Sequence, residues 1–221
     1  FVRFLLEQDL VSGPVIPIAT RSGLKIATAL RDGRIRVSMG QVTIADRLVV
    51  VTIADGTEFK ALTADVGNPH AVSFVENPDD LPFHAPPRWD PTEEFPQGVN
   101  LEFGRSRGLR HIAMRVYERG VGETRSCGTG TVAAAAAARV RDQDRTPLPV
   151  IYQVDTPGGR VEVELTEDQI ARLSGATEFR LGFPREFLES DHVRGLIFGE
   201  MFELIDDPRS PRALERMAAS A

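Results

Sequence analysis

The chain has 221 residues, 42% of them hydrophobic and 26% charged, which at roughly 100–200 residues per domain means one large domain or two small ones of ordinary globular composition. Its 32 acidic against 26 basic residues give a net charge of −6, which argues against a nucleic-acid binder, and no apolar run reaches the ~18 residues of a membrane span. The one cysteine, Cys127, excludes an internal disulfide and a Cys-rich zinc site and leaves a free thiol, most comfortable in a reducing cytoplasm.

The opening Phe1-Val2-Arg3-Phe4-Leu5-Leu6 has no Met and no basic-then-apolar leader pattern. Apolar residues at Val2, Leu5, Leu6 and Leu10 follow a helical period, and Ser12-Gly13-Pro14 ends it. Leu24, Ile26, Thr28 and Leu30 alternate, as do Ile35, Val37 and Met39, around the turn Arg31-Asp32-Gly33-Arg34, predicting a β-hairpin. A second hairpin is predicted from Leu48 to Val66 around Asp55-Gly56, and a strand from Ala71 to Val75 after the loop Gly67-Asn68-Pro69-His70. The Pro-rich stretch 77–97 has no steady period and reads as a surface excursion with one short helical piece. Val99 to Phe103 and His111 to Tyr117 predict a third hairpin turning at Arg105-Ser106-Arg107-Gly108. Val150 to Val154 and Arg160 to Leu165 predict a fourth around Thr156-Pro157-Gly158-Gly159. Between these two hairpins, Thr131-Val132 and the alanines 133–138 predict a helix of small apolar residues, suited to a centre that sheets approach closely. Hairpins around one buried helix make an α+β fold, with antiparallel and mixed sheets wrapped around a central Ala-rich helix. Regular βαβ units are missing from the pattern, so a Rossmann fold is not expected.

The stretch from Glu118 to Gly130 carries the chemistry. It runs from a strand through a glycine-rich loop to Cys127, then directly into the helix. The first N–H groups of a helix lack internal partners and, with the helix dipole, favour anions. Cys127 is therefore placed as a base or nucleophile, with an expected pKa below that of a free cysteine. The amides of Gly128, Thr129 and Gly130 are expected to cradle a carboxylate or phosphate. The bland alternative for Cys127 is a buried small hydrophobe. Glu118-Arg119 reads equally as a surface ion pair, Asn68-Pro69 as an ordinary turn opener, and Asn100 as either a solvated-edge residue or a binder, because Asn is depleted in strands. His84, His111 and His192 show no ligand spacing, so no metal site is expected.

Taken together, Gly67-Asn68-Pro69-His70-Ala71-Val72, Val99-Asn100, Glu118-Arg119-Gly120-Val121-Gly122-Glu123-Thr124, Cys127-Gly128-Thr129-Gly130 and Val154-Asp155-Thr156-Pro157-Gly158-Gly159 resemble the diaminopimelate epimerase family, over about residues 1–175. Cys-Gly-Thr-Gly alone is shared with the proline racemases; the full set is specific. The resemblance implies cofactor-independent inversion at an α-carbon by two cysteines on opposite faces of the substrate, one acting as thiolate base and one as thiol acid. Cys127 matches the second cysteine, and Asn68, Asn100, Glu118, Arg119, Gly128 and Thr129 match substrate-binding positions. The resemblance also places Phe1 just after the family's first-cysteine motif, so most of its first domain is expected to be missing from these residues. Residues 1–40 would then be a remnant of that domain, 41–175 the C-terminal epimerase domain, and 176–221 a tail that matches nothing, with a short helix predicted from Pro211 to Ala219. The implied partner is a small-molecule amino-acid substrate, with no nucleic acid, no membrane, a homodimer left open, and a cytoplasmic location. A proline or hydroxyproline racemase of the same fold is the alternative enzyme, and a non-catalytic amino-acid-binding or thiol-sensing domain the alternative of another class.

Overall fold

The computed structural model describes residues 1–167 and the strands Ser174–Leu181 and Phe202–Leu204. The short helix predicted from Pro211 to Ala219 lies outside the described residues. The chain divides into two compact units, a smaller one built on Phe1–Ser38 and a larger one, Met39–Phe179.

In the smaller unit, helix α1 (Val2–Glu7) precedes strands β1 (Val15–Thr20) and β2 (Gly23–Ala29), which pair antiparallel. β2 pairs in turn with the first residues of β3 (Ile35–Thr52), forming the first predicted hairpin. Val2, Ile16, Ile18 and Ala27 are buried together as its core. β1 has no counterpart in the predicted elements.

The larger unit is built on a mixed sheet. After β3 come β4 (Glu58–Asp65), β5 (Pro69–Phe74), β6 (Arg88–Asp90), β7 (Asn100–Gly108), β8 (His111–Glu118) and β9 (Gly122–Thr124). Helix α2 (Gly128–Arg141) and the hairpin β10 (Val150–Thr156) and β11 (Gly159–Leu165) complete it. The order across the sheet is β11-β10-β8-β7-β5-β4-β3, with β9 on β8 and β6 on β3. β5 with β7 and β8 with β10 are parallel, and the other pairs in this row are antiparallel. The second, third and fourth predicted hairpins are all present. The third turns later than predicted, because β7 continues to Gly108 and Arg110 takes the positive φ of 52° at the bend.

α2 packs against β4, β5, β7, β8, β10 and β11, so the sheet wraps around it. Ala133 to Ala138 are all buried, none more than 6% exposed. Alanine favours helix and keeps no bulk beyond Cβ, which lets strands approach from several sides. Val49, Val51, Ile53, Ala61, Ala71, Leu101 and Phe103 form a second apolar layer on the other sheet face. The Pro-rich stretch covers this layer, and so differs from a plain surface excursion. Phe95 is buried in the layer and Phe83, Trp89 and Leu81 pack on it. Arg115 on β8 clasps the stretch by donating from Nη1 to the carbonyls of Pro78 (2.7 Å) and Leu81 (3.0 Å). The short helical piece proves to be two single 3-10 turns, Pro78–Asp80 and Thr92–Glu94.

Candidate active site

The period-two alternation of the strands builds the site. On β7, Leu101 and Phe103 face the second apolar layer, so Asn100 and Glu102 face the opposite way, toward α2. On β5, Ala71 belongs to that layer, which leaves His70 on the helix side, in register with Asn100. His70 and Glu102 are both fully buried, and Asn100 is 5% exposed. Glu102 Oε1 lies 2.7 Å from His70 Nδ1, while His70 Nε2 lies 3.1 Å from Asn68 Oδ1. Asn100 Nδ2 donates to the Pro69 carbonyl (3.1 Å), and its Oδ1 accepts from the Arg119 N–H (3.0 Å). That second bond fixes the backbone where β8 ends. The Arg119 side chain then runs over Gly98, where a Cβ would sit 3.0 Å from its Cγ; the φ of +86° there also calls for glycine.

Cys127 is the N-cap of α2, in extended conformation and buried. The Gly130 N–H donates to its Sγ (3.4 Å), and Thr129 Oγ1 lies 3.4 Å from the same sulfur. Asn68 Nδ2 donates to Thr129 Oγ1 (3.2 Å), tying the Gly-Asn-Pro-His loop to the helix start. The N–H groups of Gly128 and Thr129 begin the helix and have no acceptor within it. Behind the cysteine, Gly158 N–H donates to the Arg125 carbonyl (2.8 Å), so the Pro157-Gly158 turn supports the Cys127 loop.

Electrostatics at Cys127 run opposite to the sequence expectation. Burial, and then the carboxylates of Glu118 and Glu102, push its thiol far above the ordinary cysteine range. The Thr129 hydroxyl and the Gly130 N–H pull the other way and are outweighed. The helix terminus does act on the sulfur, but a desolvated thiolate between two carboxylates costs more than two long hydrogen bonds return. The expected depression of the Cys127 pKa is therefore corrected: the sulfur here is a thiol. Gly130 is corrected as well, because its N–H is directed at Cys127 Sγ, which leaves Gly128 and Thr129 as the free cradle amides. Glu118 is itself raised, by burial first and by Glu102 next, with the Thr124 hydroxyl bond to its Oε1 opposing. Among the described residues, no group of three or more His, Cys, Asp or Glu could hold a metal ion, and no helix is long and apolar enough to cross a membrane.

The pattern of the family described as Diaminopimelate epimerase matches residues 62–179, which contain every one of these site residues. The chain belongs to the diaminopimelate epimerase family. It is 40% identical over 179 residues to the diaminopimelate epimerase of Streptomyces coelicolor, covering 79% of this chain and 62% of that protein. It is 42% identical over 176 residues to that of Thermobifida fusca, covering 79% and 61%. The chain thus spans about three-fifths of the length of these relatives. Among solved structures, a hydroxyproline epimerase from Agrobacterium vitis with bound trans-4-OH-L-proline matches at TM-score 0.59 and 16% identity, over 81% of this chain and 60% of that one. A probable proline racemase from Agrobacterium radiobacter matches at 0.58 and 19%, over 95% and 66%. At such identities these likenesses concern the fold.

Within this diaminopimelate epimerase-family fold, Asn68, Thr129, Gly128 and Cys127 meet at the start of α2, and Asn100 is joined to Arg119 through its backbone. Glu118 faces Cys127 closely enough to act on its thiol. Glu102 was not among the residues singled out from the sequence, and His70 figured there only as part of the Gly67-Asn68-Pro69-His70 loop. The signal present was faint: Asn100-x-Glu102 puts two polar residues on one face of the first half of β7, with Leu101 and Phe103 on the other, and His70 stands at the start of β5 just after the Asn68 loop.

Proposed function

We propose that the protein carrying these residues inverts an α-carbon of diaminopimelate, converting the LL isomer to the meso isomer that lysine and cell-wall synthesis use. The observation that supports this most is Cys127, held as a thiol at the mouth of α2 with two hydrogen-bonding groups on its sulfur. A buried thiol whose proton is retained is suited to deliver that proton to a carbanion, and the Gly130 N–H and Thr129 hydroxyl then receive the thiolate. The Gly128 and Thr129 amides hold the α-carboxylate against the helix dipole. Glu118 takes the ammonium, whose positive charge would also ease ionisation of Cys127. Asn68, Asn100 and Arg119 hold the distal amino-acid end. No cofactor enters this scheme, and the working place is the cytoplasm. Inversion needs an acid–base group on each face of the substrate, and these residues hold a single cysteine; the second group comes from elsewhere in the protein.

The test is incubation of the full-length protein with LL- or meso-diaminopimelate and separation of the isomers by chiral chromatography. Both directions are expected to run, and Cys127→Ser to stop both. Inactivity on diaminopimelate alongside racemisation of proline or hydroxyproline would replace this reading by that of a racemase of the same fold.

A further inference from the structure

Glu102 is the most deeply buried carboxylate of the site and the one for which substrate binding has no use. It is fully buried on β7, its Oε1 lies 2.7 Å from His70 Nδ1, and its Oε2 is buried without a hydrogen-bond partner. A carboxylate in that position is expensive to keep. Gly130 makes room for it: a Cβ there would stand 2.5 Å from Glu102 Oε1. From Glu102 the contacts run in an unbroken series to the sulfur. His70 Nε2 meets Asn68 Oδ1 at 3.1 Å, Asn68 Nδ2 donates to Thr129 Oγ1 at 3.2 Å, and Thr129 Oγ1 meets Cys127 Sγ at 3.4 Å. Direction matters at the hydroxyl, which has one proton. An oxygen that accepts from Asn68 Nδ2 has that proton free for the sulfur.

We infer that Glu102 is a positioning residue for Cys127: by anchoring His70 Nδ1 it holds the imidazole, the imidazole holds the Asn68 amide in one orientation, and Asn68 turns the Thr129 hydroxyl toward the sulfur. The inference deepens the proposed reaction, since the thiolate left after proton delivery needs this donor. Two effects of Glu102 on the thiol therefore oppose each other. Its negative charge disfavours the thiolate through space, while its contact with His70 favours it through the hydroxyl. Glu118 is the other carboxylate acting on the sulfur, and Glu102 in turn raises the Glu118 carboxyl, a coupling that a change of Glu102 to Asp keeps and a change to Gln removes.

The opposition supplies a test that does not depend on any epimerase activity. Because the 221 residues contain one cysteine, the alkylation rate of the chain at a fixed pH near 9 reports the thiolate fraction of Cys127 alone. Glu102→Asp keeps the charge but withdraws the carboxylate from Nδ1. Glu102→Gln removes the charge but leaves an amide that can donate to or accept from Nδ1, whichever the tautomer that holds Asn68 Oδ1 requires. The expected result is slowing by about tenfold in Glu102→Asp, the loss of thiolate that goes with a thiol pKa higher by about one, and no slowing in Glu102→Gln. Loosening of the fold would speed alkylation, so slowing cannot arise from it. Should Glu102→Asp fail to fold, His70→Asn is read in its place: its amide reaches the Glu102 contact but leaves Asn68 unheld, and slowing is again expected. A folded Glu102→Asp that reacts as fast as the unaltered chain, or a Glu102→Gln slowed as much as Glu102→Asp, overturns the inference and leaves Glu102 acting by charge or bulk alone.

Discussion

Gly130→Ala sets two calculable effects against each other. Gly130 sits in the first turn of α2, where alanine should by itself help the helix by up to about 1 kcal/mol. The added Cβ would stand 2.5 Å from Glu102 Oε1, 3.3 Å from Glu102 Cδ and 3.2 Å from Cys127 Cβ. To restore the 3.4 Å of ordinary contact, the carboxylate must retreat by about 0.9 Å. It has nowhere to go: the side chain is fully buried and its Oε1 is bound to His70 at 2.7 Å. Losing or stretching that buried contact costs ~1.5–3 kcal/mol, the range for hydrogen bonds to charged groups. Net destabilisation of about 0.5–2 kcal/mol is therefore expected, a fall of roughly 1–8 °C in melting temperature for a chain of this size. Thermal unfolding followed by circular dichroism reads it. A melting temperature that rises would refute the reasoning, since it would mean that helix propensity wins and Glu102 is not held against α2.

Two more outcomes follow from the same packing and electrostatics. Ala135→Leu, at a fully buried position, should overpack the space between α2 and the strands around it and destabilise by typically ~1–3 kcal/mol; an unchanged urea midpoint would put α2 on the surface. Cys127, whose folded pKa lies above its unfolded one, should contribute stability that is complete below about pH 8.5, the free-cysteine value. That contribution should drain away as pH rises further, so the melting temperature of the unaltered chain should fall more steeply above pH 9 than that of Cys127→Ala; parallel curves would mean that the thiol is not raised.

The sequence displays most of the fold because its signals are local. Alternating Leu24, Ile26 and Thr28, the Asp55-Gly56 turn and the alanine run 133–138 each describe their own segment, and each appears where its pattern puts it. β1 escapes because Pro17 stands in the middle of Val15–Thr20 and argues against a strand. The turn of the third hairpin is displaced because Arg105-Ser106-Arg107-Gly108 is polar enough to pass for one, although those residues are an exposed end of β7. The sign of the Cys127 shift was not legible at all. The helix start favouring a thiolate is adjacent in sequence, whereas the opposing carboxylates come from β7 and the end of β8 and meet the sulfur only through the sheet. Glu102 was hidden for the same reason, since Asn100-x-Glu102 looks like a solvated strand face until its neighbours are placed.

The central claim is that Cys127 moves a proton at one face of the α-carbon. Its most direct measurement is incubation of the purified 221-residue chain with each isomer of diaminopimelate in deuterated water, followed by mass spectrometry for α-deuterium and chiral chromatography for inversion. With one cysteine in these residues, the account predicts no conversion of either isomer into the other, deuterium uptake confined to one isomer, and loss of that uptake in Cys127→Ser. Interconversion of the isomers by the chain alone, or uptake that persists in Cys127→Ser, would contradict it.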